Sequence, residues 1–81
     1  MGRRYHIREF PKGELGEISK IQEELDELKD SAEQSSKVME LVELSDLYGA
    51  IECYIKRHHP GTTMEDLEIF SNITKRSYES R

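Results

Sequence analysis

Apolar residues that recur every three or four positions are the feature that most limits the fold of this chain. Such runs cover residues 13–34, 38–58 and 62–73. Spacings of three and four place side chains on one face of an α-helix, whereas a half-buried strand would alternate every second residue. With only two prolines and five glycines, few positions interrupt these runs. The pattern predicts an all-α fold of three helices with short connections.

Capping and helix-breaking residues set the expected helix ends. The first helix is expected from about residue 13 to residue 34. Ser36 offers an N-cap for the second helix, which should end at about His58, just before Pro60. Thr62 and Glu65 then have the spacing of a capping box, in which two residues three apart cap each other, and this should open the third helix.

The length of 81 residues fits a single domain with a small core of its own. Pro11 cannot lie inside a helix, so we expect residues 1–12 to form an extended N-terminal arm and residues 13–81 to form the domain. The second helix has apolar residues around most of its circumference. Two companion helices in one short chain cannot cover them, so a homodimer in which two helical hairpins form a four-helix bundle is expected, or a homotetramer.

Charge and cysteine content narrow the class of protein. Lys and Arg number 12 against 17 Asp and Glu, so the net charge of -5 argues against stable binding to nucleic acid. No apolar run is long enough to cross a membrane, and the start of the chain lacks the apolar centre of a signal peptide. The one cysteine, Cys53, cannot form an internal disulfide. We therefore expect a cytoplasmic protein with no membrane partner.

Two acidic pairs point to a cation site. Glu24 and Glu27 lie one turn apart on the first helix, and Glu43 and Asp46 have the same spacing on the second. In an antiparallel hairpin both pairs would fall at similar depth and face each other. Four carboxylates suit Mg²⁺ or Mn²⁺, which prefer oxygen ligands. The alternative is an ordinary solvated helix face on which Lys20 pairs with Glu24.

The acidic pairs also carry a resemblance to a known family. E-x-x-E at residues 24–27, fifteen intervening residues and E-x-x-D at residues 43–46 are similar to the shared motif of the all-α nucleoside triphosphate pyrophosphohydrolases. The lead-in K-x-x-E at residues 20–23 resembles the phosphoribosyl-ATP branch of that family. The whole chain looks closer to short MazG-like proteins, which phages often encode, and a viral member would act in the host cytoplasm.

The resemblance implies Mg²⁺-dependent hydrolysis of a nucleoside triphosphate, or a related nucleotide, to the monophosphate and pyrophosphate. Catalytic roles would fall to Glu24 and to Glu23, which would orient the attacking water. Asn72 and Lys75 on the third helix do not reproduce the family's Asn-x-Lys spacing. The expected metal ligands are Glu24, Glu27, Glu43 and Asp46, and the expected phosphate contacts are Lys12, Lys20, Lys75 and Arg76.

Two other classes of protein remain compatible with the sequence. A protein that sequesters or senses nucleotides would keep the pocket and return the nucleotide intact. A purely structural helical adaptor would show no dependence on magnesium.

Overall fold

Three α-helices make up the part of the chain that the structure, a computed structural model, describes, which is residues 9–79. They are α1 (Ile18–Glu33), α2 (Lys37–His58) and α3 (Met64–Glu79). No strand occurs among these residues. The all-α prediction is confirmed for them, whereas most of the expected N-terminal arm, residues 1–8, lies outside the described range.

The start of α1 differs from the sequence prediction. Residues 13–17 form a turn instead of the first helical turn, and α1 begins at Ile18. Gly16 has a φ of +92°, a backbone conformation that glycine adopts without strain. Gly13 lies so close to the backbone of Ser19 and Lys20 that a Cβ would collide with it. The turn of residues 13–17 thus packs against the first residues of α1. Its apolar residue, Leu15, fits the helical spacing although it precedes the helix.

Helices α1 and α2 form an antiparallel hairpin. Three residues link them, and the Ser36 hydroxyl accepts a hydrogen bond from the Met39 amide at 3.3 Å, which confirms the expected N-cap. At the opposite end, Arg57 Nη1 lies 3.2 Å from Glu17 Oε2. The end of α2 thus lies beside the start of α1. The hairpin brings the middle portions of the two helices, where the acidic pairs lie, to similar depth.

Ser35 gives a direct test of the hairpin link. It has a φ of +60°, a left-handed conformation that costs a residue with a side chain about 1–2 kcal/mol. We expect Ser35→Gly to raise the free energy of unfolding by roughly 0.5–1 kcal/mol in urea denaturation. Ser36→Ala removes the N-cap and should lower it by about 1 kcal/mol. An unchanged or lower stability of Ser35→Gly would contradict the link geometry.

The capping box of α3 lies one residue later than expected. The Thr63 hydroxyl accepts a hydrogen bond from the Asp66 amide at 3.1 Å, and Asp66 Oδ2 accepts one from the Thr63 amide at 2.9 Å. The Thr62 amide instead donates to the His59 carbonyl at 3.0 Å, which keeps Thr62 in the preceding turn. Thr62-x-x-Glu65 and Thr63-x-x-Asp66 have the same spacing, so sequence alone could not choose between them.

The buried residues of the described chain are mostly polar, and many of its large apolar side chains are exposed. Ala50 is the one hydrophobic residue among residues 9–79 that is buried, whereas Glu23, Glu24 and Glu43 are buried acidic residues. Helix α3 begins beside α2, and Met64 lines a shallow cleft there. None of the described helices is long and apolar enough to span a membrane. The large apolar residues that remain exposed are Leu15, Ile18, Leu25, Val38, Leu41, Leu44, Tyr48, Ile69, Phe70, Ile73 and Tyr78.

Candidate metal centre

Three carboxylates from two helices meet in the hairpin. Each of Glu24, Glu27 and Glu43 places one carboxylate oxygen within 4.8 Å of those of the other two. Glu24 is 6% exposed and Glu43 is 0% exposed, while Glu27 is half-buried. The i, i+3 spacing on α1 and the antiparallel arrangement of α2 produce this group. The structure thus brings together three of the four metal ligands expected from sequence.

The group meets the requirements of a hard divalent cation. Mg²⁺ binds oxygen at about 2.0–2.1 Å, so ligands on opposite sides of the ion lie roughly 4.2 Å apart. A group no wider than 4.8 Å therefore needs only small side-chain movements to close around one ion. Glu24 Oε1 is buried and accepts no hydrogen bond from the described residues. Buried carboxylates close together repel each other, and a bound cation would offset that repulsion.

Lys20 lies beside this group and binds two carboxylates. Its Nζ is 3.0 Å from Glu23 Oε1 and 3.1 Å from Glu24 Oε2. The pairing of Lys20 with Glu24, which the solvated-face alternative also predicts, is therefore present. Glu23 and Glu24 are nevertheless buried, so they do not form an ordinary solvated face. Burial tends to lower the pKa of Lys20, but its bonds to the two carboxylates outweigh burial and raise that pKa.

Glu23 anchors the turn that precedes α1. Its Oε1 accepts hydrogen bonds from the Gly13 amide at 2.9 Å and from Lys20 Nζ at 3.0 Å. Its Oε2 lies 3.9 Å from Nζ of the exposed Lys12. Burial tends to raise the pKa of Glu23, but the hydrogen bonds from Gly13 and Lys20 and the charges of Lys20 and Lys12 together lower it. Glu23 therefore stabilises the fold in its ionised form.

We expect Glu23→Gln to lower the free energy of unfolding by about 2 kcal/mol at pH 7, because a charged acceptor of two hydrogen bonds is lost. The pKa of Glu23 is lower in the folded state, so its contribution is complete above the unfolded pKa. It is lost as the pH falls through the folded value. The difference between wild type and variant should therefore shrink below about pH 4. Urea denaturation in EDTA at several pH values measures this, and a pH-independent difference would contradict it.

Asp46 lies outside the group of three and lines an adjoining cleft. This cleft has a volume of about 360 Å³, and Glu24 and Lys20 also form part of its wall. On α2 the lining residues of the cleft run from Ser45 to Cys53. Asp46 therefore shares this cleft with Glu24, one of the three grouped carboxylates. The remaining lining residues are Leu15, Ser45, Gly49, Ala50 and Cys53.

The four expected phosphate contacts lie in different places. Lys20 lines the cleft, whereas Lys12 is not among the described lining residues and lies beside Glu23. Lys75 and Arg76 are exposed near the end of α3 and do not belong to the described lining of the cleft. Within one described chain, Lys20 is therefore the expected phosphate contact that shares the cleft with the acidic residues.

The apolar part of the cleft was predictable only in part. A helical wheel of α2 places Ala50 and Cys53 on the same face as Glu43 and Asp46, but it does not show that this face lines a cleft. The small residues Ser45 and Gly49 lie on that face too. Leu15 could not have been found this way, since it reaches the cleft from the turn before α1. The Arg57 guanidinium donates to the Leu15 carbonyl at 3.3 Å and helps to hold that turn in place.

Comparison with known proteins gave no match: no family model, no curated protein and no solved structure matches the chain. Family membership is therefore not shown, and the similarity of residues 20–46 to the pyrophosphohydrolases is a similarity of short motifs.

Proposed function

We propose that this protein is a Mg²⁺-dependent pyrophosphohydrolase that converts a nucleoside triphosphate, or a related nucleotide, to the monophosphate and pyrophosphate. The observation that carries the proposal is the group formed by the buried Glu24 and Glu43 and the half-buried Glu27 beside an open cleft. Phosphate chemistry favours such a site, because oxygen-rich metal sites bind phosphate chains through the ion. The motif resemblance supports the choice of reaction.

In this proposal Glu24, Glu27 and Glu43 hold one Mg²⁺ or Mn²⁺, and Asp46 supplies a further oxygen from the cleft wall. A bound divalent ion neutralises phosphate charge and makes water a better nucleophile. Glu24 Oε1 has no hydrogen-bond donor among the described residues and is available as a ligand. Glu23 belongs neither to the carboxylate group nor to the described lining of the cleft. In this proposal its side chain would have to move to orient the attacking water, through Oε2, because its Oε1 already accepts two hydrogen bonds.

Lys20 provides the positive charge of the site. It fixes the carboxylate of Glu24 through Oε2 and leaves Oε1 for the cation. Its position in the cleft wall also suits contact with a phosphate oxygen. Lys12, Lys75 and Arg76 remain proposed phosphate contacts that would require either side-chain movement or a neighbouring copy of the chain.

A homodimer, or a homotetramer, forms part of the proposal. Leu41, Leu44 and Tyr48 are exposed on α2, and Ala50 is the one buried hydrophobic residue that the structure describes in α2. A single hairpin with so little buried apolar surface gains little from the hydrophobic effect. Packing two hairpins into a four-helix bundle would bury this face of α2.

The test is a screen for pyrophosphate release from the common ribo- and deoxyribonucleoside triphosphates, with Mg²⁺ and with EDTA. We expect release from at least one nucleotide, with Mg²⁺ only. Release that persists in EDTA would contradict the metal centre. Intact nucleotide recovered from a tight complex would contradict turnover and would identify a sequestering protein.

A further inference from the structure

The cleft beside the carboxylate group has two chemically different ends. Lys20, Glu24 and Asp46 form a charged end. Leu15 and Cys53 contribute to an apolar end, together with the backbone and small side chains of α2. From Asp46 to Cys53 the wall extends about 10 Å along α2. A ligand that fills this cleft therefore needs a charged part and a flat or compact apolar part that lie up to about 10 Å apart.

Gly49 lies in the middle of α2 at the apolar end. A glycine inside a helix costs about 1 kcal/mol relative to alanine. No turn geometry requires it, because it is helical, and a Cβ built on it would meet no described atom within 4 Å. Contacts within the described chain therefore do not explain the glycine. Because Gly49 has no side chain, the cleft has free space next to the backbone of α2 at this position.

The charged end of the cleft also has a feature that favours a bound ligand. Glu24 lines it, is more than nine-tenths buried, and has an oxygen, Oε1, that accepts no hydrogen bond from the described residues. Leaving a buried carboxylate oxygen unsatisfied is costly unless something else binds it. In the proposed function the cation binds this oxygen, and phosphates held by the cation would lie in the same cleft as Gly49.

We propose that the apolar end seats the base of a nucleotide against Gly49, and that the absent side chain at this position lets the base approach the helix. This inference rests on the proposed function, in which the charged end holds the metal ion and the phosphates. The proposed function already makes the ligand a nucleotide, and this inference adds where its base lies and which residue of α2 leaves room for it. Leu15 and Cys53 contact the base, and Lys20 contacts its phosphates.

The experiment measures binding by calorimetry. The ligands are Mg²⁺ complexes of non-hydrolysable α,β-methylene triphosphates with each of the common bases, and inorganic triphosphate. We expect Gly49→Leu to weaken binding of the preferred nucleotide at least tenfold and Gly49→Ala to weaken it less. Binding of Mn²⁺ alone and of inorganic triphosphate should stay within twofold of wild type. Gly49→Ala should melt at a higher temperature, because alanine favours the helix.

Lys37→Leu is the matched control, since it adds the same side chain at an exposed position of α2 outside the cleft. It should leave nucleotide affinity unchanged. Equal nucleotide affinity in wild type and Gly49→Leu would overturn the inference, and so would wild type that binds no nucleotide with any base. A lower mass of Gly49→Leu in light scattering, with nucleotide affinity retained, would also overturn it and assign Gly49 to helix contact between copies.

Turnover separates this inference from the proposed function. A wild-type protein that binds nucleotides in a Gly49-dependent way but hydrolyses none would refute the pyrophosphohydrolase and leave the base site standing. Hydrolysis that is equally fast, with the same KM, in wild type and Gly49→Leu would refute the base site and leave the reaction standing.

Discussion

Replacing Glu43 by Gln should remove most divalent-cation binding and reduce nucleotide hydrolysis by at least about 10³-fold. Glu43 is fully buried, and its carboxylate is the contribution of α2 to the group formed with Glu24 and Glu27. Gln has nearly the same shape but lacks the negative charge that a hard cation requires. Calorimetric titration with Mn²⁺ and a pyrophosphate-release assay measure the two effects.

Glu52→Gln is the control for this experiment. It makes the same chemical change on the same helix, but Glu52 is exposed and lies outside the carboxylate group. Its Mn²⁺ affinity and its rate should match wild type. If Glu43→Gln bound Mn²⁺ as tightly as wild type and Glu52→Gln, the carboxylate group would not be a metal centre.

The second large effect concerns assembly. Leu44 is 46% exposed in the single chain, so Leu44→Asp should be harmless to an isolated monomer. In a four-helix bundle the same change would bury an unpaired charge, at a cost of several kcal/mol. We therefore expect a wild-type mass of at least twice 9.5 kDa in light scattering. The variant should be a monomer or unfolded, with its melting temperature lowered by at least about 15 °C.

Lys37→Asp is the control for Leu44→Asp, because it places a new carboxylate on the exposed first turn of α2. It should keep the wild-type mass and melting temperature. A folded wild-type monomer at micromolar concentration, with Leu44→Asp equally stable, would exclude the bundle.

The helices were largely predictable because their signals are local. The periodic apolar residues and the Ser36 N-cap are read within a few positions of one another. The start of α1 was not predictable in this way. Its turn is held by contacts distant in sequence, in which the Gly13 amide donates to Glu23 and the Arg57 guanidinium donates to the Leu15 carbonyl.

The candidate site was predictable in part for the same reason. The i, i+3 spacing and the equal depth of the two acidic pairs in an antiparallel hairpin predicted that Glu24, Glu27 and Glu43 lie together. The structure confirms that these three meet. Burial was harder to predict, because periodicity assumes that the apolar face points inward. In the described chain α1 buries Glu23 and Glu24 while Ile18 and Leu25 stay exposed. In the proposed bundle a second copy of the chain would cover such apolar residues, and a sequence pattern read along one chain does not include that contact.

The most direct test of the proposed reaction is hydrolysis of a susceptible triphosphate in ¹⁸O-labelled water with Mg²⁺, followed by mass spectrometry of the products. Attack on the α phosphorus places one labelled oxygen in the nucleoside monophosphate and none in the pyrophosphate. We predict this pattern, with no nucleoside diphosphate at any time and no reaction in EDTA. Label in the pyrophosphate, a diphosphate product, or hydrolysis without a divalent cation would contradict the proposed reaction.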